Sequence, residues 1–211
     1  FRVSLLAAKP EFISSLGQRE RTLIGEIVPT SYEELKRISS LSTPHKALAV
    51  VHMTERAAFT PGSLHGPGIA LESVQDPGNL GTIIRAAAWF GIKTVVCSMN
   101  SVDVYNPKVI KASMGAILNV EVYYADLDRI LQEAAKTGLP VYGTFLEGES
   151  IYKAELEERG IILFGNESKG ISGTLAPFVS KKLYIPGFSI SDHGVETLNV
   201  GMAASIVLSE F

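Results

Sequence analysis

Apolar and polar positions along this chain fall into two different patterns. Residues 1–55 read as a short mixed block: a strand at Arg2–Ala8, a helix around Pro10–Leu16, an apolar strand near Leu23–Val28, a helix from Ser31 and a strand at Ala47–His52. In TSYEELKRISS, Ser31 is followed three residues later by Glu34, and Leu35 and Ile38 then share one face. That is a capping box opening an amphipathic helix. The Pro- and Gly-rich stretch TPGSLHGPG at 60–68 predicts a linker or loop.

From Ile69 the pattern changes to strand and helix in alternation. Apolar runs predict strands at Ile69–Val74, Thr94–Ser98, Pro140–Phe145, Gly160–Phe164 and Leu183–Pro186. Amphipathic or apolar stretches between them predict helices at Leu80–Phe90, Pro107–Met114, Asp128–Thr137, Thr174–Val179 and Thr197–Ser209. Short β-rich runs separated by helices imply an α/β domain on a largely parallel sheet. In such sheets ligands bind beyond the carboxyl ends of the strands.

Composition narrows the class. With 46% hydrophobic and 19% charged residues in 211, the chain can bury a sizeable core. No apolar run reaches the roughly 18 residues that cross a bilayer, and FRVSLLAAKP reads as a strand rather than a signal peptide. A single cysteine, Cys97, fits a reducing cytoplasm, and no Cys/His cluster has metal-ligand spacing. The net charge of −3 argues against an indiscriminate grip on nucleic acid. Residues 1–60 are nevertheless net basic, with 8 Lys/Arg against 6 Asp/Glu. Any RNA grip is therefore expected there.

Three polar segments sit where strands end. In ESVQDPGNLGTIIRAAAWFG (72–91), Asp76-Pro77-Gly78 is a turn signature, Asn79 can cap the next helix, and Gly81 allows close backbone approach. Arg85, close to two helical turns after Asn79, is read as facing the same ligand. An ordinary capped helix with a solvated arginine would carry the same residues. In IILFGNESKGIS (161–172), Gly165 and Gly170 bracket a polar tetrad containing Asn166 and Glu167; a plain surface turn is the rival reading. In LYIPGFSISDHGVETLNVGMAASIVLSEF (183–211), Thr197 or Asn199 can cap an apolar C-terminal helix, preceded by Glu196 and by His193 in a polar loop.

Taken in order, DPGNLGTIIR, FGNESKGIS and IPGFSISDHGVETLNVGMAAS resemble the three signature motifs of the SpoU (TrmH-type) branch of the SPOUT methyltransferases. The resemblance covers about residues 66–211. LKRISSLSTPHKALAVV (35–51) is similar to the end of the ribosomal-protein-like RNA-binding domain that often precedes that catalytic domain, whose beginning is then missing from this chain. The resemblance implies an N-terminal RNA-binding domain over 1–58 and a methyltransferase domain over 66–211. It also implies a C-terminal trefoil knot, a homodimer sharing active-site residues, and S-adenosylmethionine (AdoMet) as cofactor. Carried over residue by residue, it assigns catalytic roles to Arg85, Asn79, Glu167, Thr197 and Asn199. It assigns cofactor contacts to Gly143, Thr144, Phe164, Gly165, Asn166, Ile185 and Leu198. The motif departs from the usual Ser-Leu-Asn-Val-Ser at Thr197 and Gly201; the first change keeps a hydroxyl and the second loses one.

The activity so implied is methylation of a ribose 2′-hydroxyl in rRNA or tRNA, with Asn79 and Glu167 orienting Arg85. The resemblance also admits a non-catalytic RNA-binding or ribosome-assembly scaffold of the same fold. An ordinary dinucleotide enzyme would want G-x-G-x-x-G after the first strand, which DPGNLGTIIR lacks.

Overall fold

A computed structural model of the chain describes residues 2–53, 58–187 and 197–211. The chain divides into two compact units, residues 1–56 and 57–211.

The first unit is a three-stranded sheet with short helices. In chain order its elements are β1 (Arg2–Ala8), α1 (Pro10–Ser15), α2 (Gln18–Thr22), β2 (Ile24–Pro29), α3 (Tyr32–Ile38) and β3 (Ala47–His52). The strand order is β2-β1-β3, with β1 parallel to β2 and antiparallel to β3. Ser31 caps α3 as its sequence predicts: its hydroxyl accepts from Glu34 N, and Glu34 accepts from Ser31 N at 2.8 Å. Those hydrogen bonds hold the exposed Glu34 carboxyl below its ordinary pKa. Leu35 on the same helix is buried, as are Leu6, Ala7 and Ala8 of β1.

The second unit contains β4 (Pro67–Leu71), α4 (Pro77–Trp89), β5 (Thr94–Ser98), α5 (Pro107–Ser113), β6 (Glu121–Ala125), α6 (Leu127–Lys136), β7 (Val141–Ser150), β8 (Gly160–Phe164), β9 (Lys181–Tyr184) and α7 (Val200–Leu208). Its six strands run in the order β6-β5-β4-β8-β7-β9, and every pairing is parallel. Successive strand residues point to opposite faces, so each strand feeds two cores. Ile69, Leu71, Val95, Cys97, Ile162 and Phe164 meet α4, α5 and α7 on one face. Ala70, Val96, Val141, Ile161 and Leu163 meet α6 on the other. Burial pushes the Cys97 thiol up to about 12 and raises Tyr124 as well.

Several boundaries differ from the sequence reading. The stretch 174–179 forms only a single 3-10 turn, Ala176–Phe178, because Pro177 interrupts the backbone hydrogen bonding of a longer helix. The last helix begins at Val200 rather than Thr197. Strand β6 and helix α2 were not anticipated. The first is an edge strand whose EVYYA mixes charge with aromatics, and the second is five residues of mostly polar side chains.

Candidate active site

The strand order fixes where a ligand can sit. From β4 the chain steps outward through β5 to β6, then returns to build β7, β8 and β9 on the other side. Strands β4 and β8 are therefore neighbours whose outgoing connections run in opposite directions, the crevice where α/β sheets bind ligands. The loops after these two strands carry the first two polar segments.

After β4, Ser73 adopts a left-handed conformation with φ 54°, and the chain turns into α4. Asp76, not Asn79, is the N-cap: its carboxylate accepts from Asn79 N at 2.8 Å. The Asp-Pro-Gly turn supplies the better-placed acceptor, which frees the Asn79 side chain. Gly81 serves the fold, since a Cβ there would stand 2.5 Å from Ala112 Cβ and 2.8 Å from Val109 O. The close approach read from the sequence is thus that of α5 against α4.

The loop after β8 closes on itself. Asn166 N donates to Gly170 O at 3.0 Å and Gly170 N donates to Asn166 O at 2.9 Å. A Cβ on Gly165 would lie 2.1 Å from Gly170 C, so no side chain fits at the neck of this loop. Asn166 Oδ1 accepts from Ser168 N and Lys169 N, while its Nδ2 donates to Ser73 O at 2.9 Å.

These segments meet at one amide. Asn79 Nδ2 donates to Glu167 Oε1 at 3.2 Å, and Asn79 Oδ1 accepts from Asn199 Nδ2 at 2.9 Å. The partners lie 88 and 120 residues away in sequence. Asn199 is also the N-cap of α7, its Oδ1 accepting from Gly201 N at 2.9 Å and Met202 N at 3.3 Å. Its fixed geometry thus ties the C-terminal helix to α4. The network is neutral except for Glu167, whose second oxygen accepts from Asn166 Nδ2 at 3.4 Å.

Arg85 stands apart. It is exposed, and among the described residues it has no hydrogen bond or ion pair, so Asn79 and Glu167 are not seen to orient it. Six residues of helix advance about 600°, which leaves Asn79 and Arg85 on faces roughly 120° apart. Thr197 is exposed, with no hydrogen bond from its hydroxyl to another described residue. Glu196 and His193 lie outside the described residues.

Comparison with known proteins fits this arrangement. The model of the SpoU rRNA Methylase family matches residues 67–209, which hold every residue of the Asn79 network. The chain belongs to that family. The 23S rRNA (guanosine(2553)-2′-O)-methyltransferase RlmP of Bacillus subtilis (strain 168) is 30% identical over 84% of this chain and 69% of its own length. Against the RlmB of Neisseria meningitidis serogroup B the chain spans only 56% of the relative's length. Among solved structures, a TrmH-family protein from Porphyromonas gingivalis is 36% identical with a TM-score of 0.87, covering 100% of this chain and 82% of that one. An AdoMet-bound rRNA methyltransferase from Sinorhizobium meliloti shares the fold at 22% identity, with a TM-score of 0.82 over 99% of this chain and 79% of that one.

In this SpoU-family chain the expected cofactor residues are spread over four places: Phe164, Gly165 and Asn166 at and after the end of β8, Gly143 and Thr144 inside β7 where its pairing with β8 ends, Ile185 just after β9, and Leu198 just before α7. Thr144 donates its hydroxyl to Leu163 O at 3.2 Å, joining β7 to β8. Both Thr144 and Glu149 register with Leu183, so the chain between them bulges out of the sheet and leaves Leu146 70% exposed. Leu198 is half exposed, and Ile185 packs partly buried on the core. The Phe164 ring is core, and its carbonyl accepts from Glu72 N at 2.9 Å. Gly143 is buried too, a Cβ there falling 2.6 Å from Phe145 Cε2. Those two positions are placed to shape the strand ends rather than offer side chains. Glu72, Ser73 and Asn100 also belong to the site's framework. The sequence reading missed them because a polar residue ending an apolar run looks like any strand end.

Proposed function

We propose that this chain uses AdoMet to methylate a ribose 2′-hydroxyl in structured RNA, rRNA or tRNA. The observation that carries the reading is the Asn79 amide, which draws Glu167 and Asn199 from two distant segments to the mouth of the β4/β8 crevice. The strand-end loops suit AdoMet. Thr144, Gly165 and Asn166 offer backbone and polar groups, and Ile185, Leu198 and Leu146 are apolar side chains left at least partly exposed.

AdoMet held by these residues would supply a sulfonium methyl group for transfer to the 2′-oxygen, with the carbon–sulfur electron pair remaining on its sulfur. The protein's part is positioning and charge. The Asn79–Glu167–Asn199 network holds the loops in one geometry, which is worth several kcal/mol when it aligns an in-line displacement. A guanidinium already carries its proton at neutral pH and has no acceptor site for another, so it is not a base. Arg85 therefore binds the nucleotide phosphate and stabilises the developing 2′-oxyanion, and the hydroxyl proton leaves to solvent.

Four further features belong to this reading. The C-terminal part of the chain forms a trefoil knot. Its support is α7, which leaves the edge strand yet packs with Leu80, Ile83 and Ile84 of α4 in one core. The chain works as a homodimer. Thr82, Arg85 and Trp89 share one exposed face of α4; the Trp89 side chain, 84% exposed, suits burial against a second copy, which would bring its Arg85 to the neighbouring site. The unit before residue 57 is a ribosomal-protein-like RNA-binding domain, consistent with its net basic charge. The protein acts in the cytoplasm, consistent with its single cysteine, Cys97.

Calorimetric titration with AdoMet and, in parallel, NAD tests the cofactor. Micromolar AdoMet binding at one site per chain with no NAD signal is expected. Transfer of a labelled methyl group to RNA tests the chemistry: a methylated 2′-oxygen cannot attack its own phosphodiester, so the modified link resists alkali. Absence of AdoMet binding would overturn the proposal and favour the scaffold.

A further inference from the structure

We propose that Glu72 is a positioning residue for the AdoMet loop 165–171, an inference that rests on the methyltransferase reading above. Glu72 immediately follows β4. Its backbone N–H donates to Phe164 O at 2.9 Å, extending the β4–β8 ladder to the last residue before the loop. Its side-chain Oε2 accepts from Ser172 N, also at 2.9 Å, one residue beyond the loop. One residue therefore grips both ends of the loop across a sequence separation of 100.

The neighbouring residue supplies a third tether. Ser73 O accepts from Asn166 Nδ2 at 2.9 Å, inside the loop. Its own left-handed turn, at φ 54°, is held by Ser98 Oγ accepting from Ser73 N and Asn100 Nδ2 donating to Ser73 Oγ. The end of β4 thus meets the loop at its entry, within its polar tetrad and at its exit. Ser172 starts the next turn as well: its carbonyl accepts from Ala176 N at 3.0 Å. Without the carboxylate, Ser172 N loses its partner and the exit of the loop is free to shift. An unsatisfied, part-buried amide is costly, and a hydrogen bond to a charged acceptor is about twice as strong as a neutral one.

Glu72 does not reach the reacting atoms by this geometry, so its effect should appear in cofactor affinity rather than in the chemical step. The test compares full-length wild type, Glu72→Met, which keeps the length of the stem but removes the oxygens, and Glu72→Gln, which keeps one acceptor. AdoMet binding is measured by calorimetry and methyl transfer by label, well below the melting temperature of each variant. The Met variant is expected to bind AdoMet about 10-fold more weakly, equivalent to about 1.4 kcal/mol. Its KM for AdoMet should rise by a similar factor, while KM for RNA and kcat at saturating AdoMet stay within about 3-fold. The Gln variant should recover most of the affinity. A purely structural role would lower the melting temperature and leave AdoMet affinity intact, and that result would overturn the assignment. If Glu72→Met does not fold, Glu72→Gln is read against Glu72→Asp, whose shorter stem withdraws the acceptor. Asp is then expected to bind more weakly than Gln, and equal binding sinks the idea. Wild type that neither binds AdoMet nor methylates RNA would refute the parent reading; a working wild type with an indifferent Met variant refutes this inference alone.

Discussion

Asn79 and Arg85 lie on one helix, six residues apart, in opposite surroundings. Around Asn79 every polar group is engaged: Asp76 caps the backbone, Glu167 and Asn199 share the side-chain amide, and Gly81 lets α5 close against α4. Around Arg85 the helix is open, with Thr82 and Trp89 exposed beside it. The ordered end fixes three distant segments in one geometry, whereas the open end keeps a permanent cation available to something that arrives from outside. Order of this kind stabilises the fold and the site together. Exposure of this kind costs little stability and is useful only to a partner.

The largest effect should come from removing the cation. Arg85→Ala is expected to lower methyl transfer by about 10²–10³-fold, the usual result of losing an oxyanion donor. Stability should change by no more than about 0.5 kcal/mol, as for other exposed positions, and AdoMet affinity should stay within a few-fold. Arg85→Lys keeps the charge but not the planar fork, so it should recover part of the rate. Near-normal turnover in the Ala variant would remove Arg85 from the mechanism and erase the contrast between the two ends.

Breaking the ordered end should look different. Asn79→Asp replaces the donor 3.2 Å from Glu167 Oε1 by a second carboxylate oxygen. Like charges so close disfavour one another, and Glu167 Oε1 loses its donor, leaving only the Asn166 Nδ2 contact on Oε2. Thermal unfolding should report a loss of about 1–3 kcal/mol, with AdoMet affinity and turnover falling in step. Asn79→Ala, without the repulsion, should fall between wild type and Asp. If Asn79→Asp reduced turnover alone, the amide would be acting on substrate rather than holding the loops.

Beneath that end, Cys97 registers with Leu71 in the sheet. Burial raises its thiol pKa from 9.0 to about 12, so the folded state holds the proton more tightly than the unfolded chain. The associated stability is complete below about pH 9 and drains away as pH rises toward the folded value. Wild type should lose about 1 kcal/mol more than Cys97→Ala between pH 8 and pH 10, since one unit of differential titration is about 1.4 kcal/mol. Parallel pH slopes for the two proteins would show that the thiol ionises freely in the fold.

How much of this was legible beforehand depends on the range of the interactions. The capping box at Ser31 and Glu34 is local and was read correctly, as were the strands Thr94–Ser98 and Gly160–Phe164, whose apolar runs suffice to bury them. The α/β class and the parallel sheet followed from the same periodicity. Asn79 was misread as a cap because Asp76 and Asn79 are both good capping residues, and only three-dimensional geometry decides between them. Its real partners come from strand-end loops far along the chain, which no local pattern can pair. Glu72 was overlooked for the same reason, its role depending on the return of Ser172. The shared direction assumed for Asn79 and Arg85 failed on helix arithmetic alone.

The smallest expected effect concerns the place where α7 touches the open face of α4. The signature motif that this segment resembles has serine at the position of Gly201. A Cβ there would lie 3.2 Å from Thr82 Cγ2 and 3.2 Å from Asn199 Oδ1, tighter than ordinary packing but against a side chain that is exposed and can give. Gly201→Ser gains roughly 0.5 kcal/mol of helix propensity, and the crowding offsets it. Stability should therefore change by less than about 0.5 kcal/mol and turnover by less than about 3-fold. Adding Thr82→Ala relieves the crowding, so the double variant should be more stable than the sum of the single changes predicts, since neighbours couple where distant sites add. Strict additivity would mean that Thr82 already yields freely. A rise in turnover above about 10-fold on Gly201→Ser would show that a hydroxyl here serves the reaction, placing α7's first turn within reach of substrate and joining the two ends of α4 in one function.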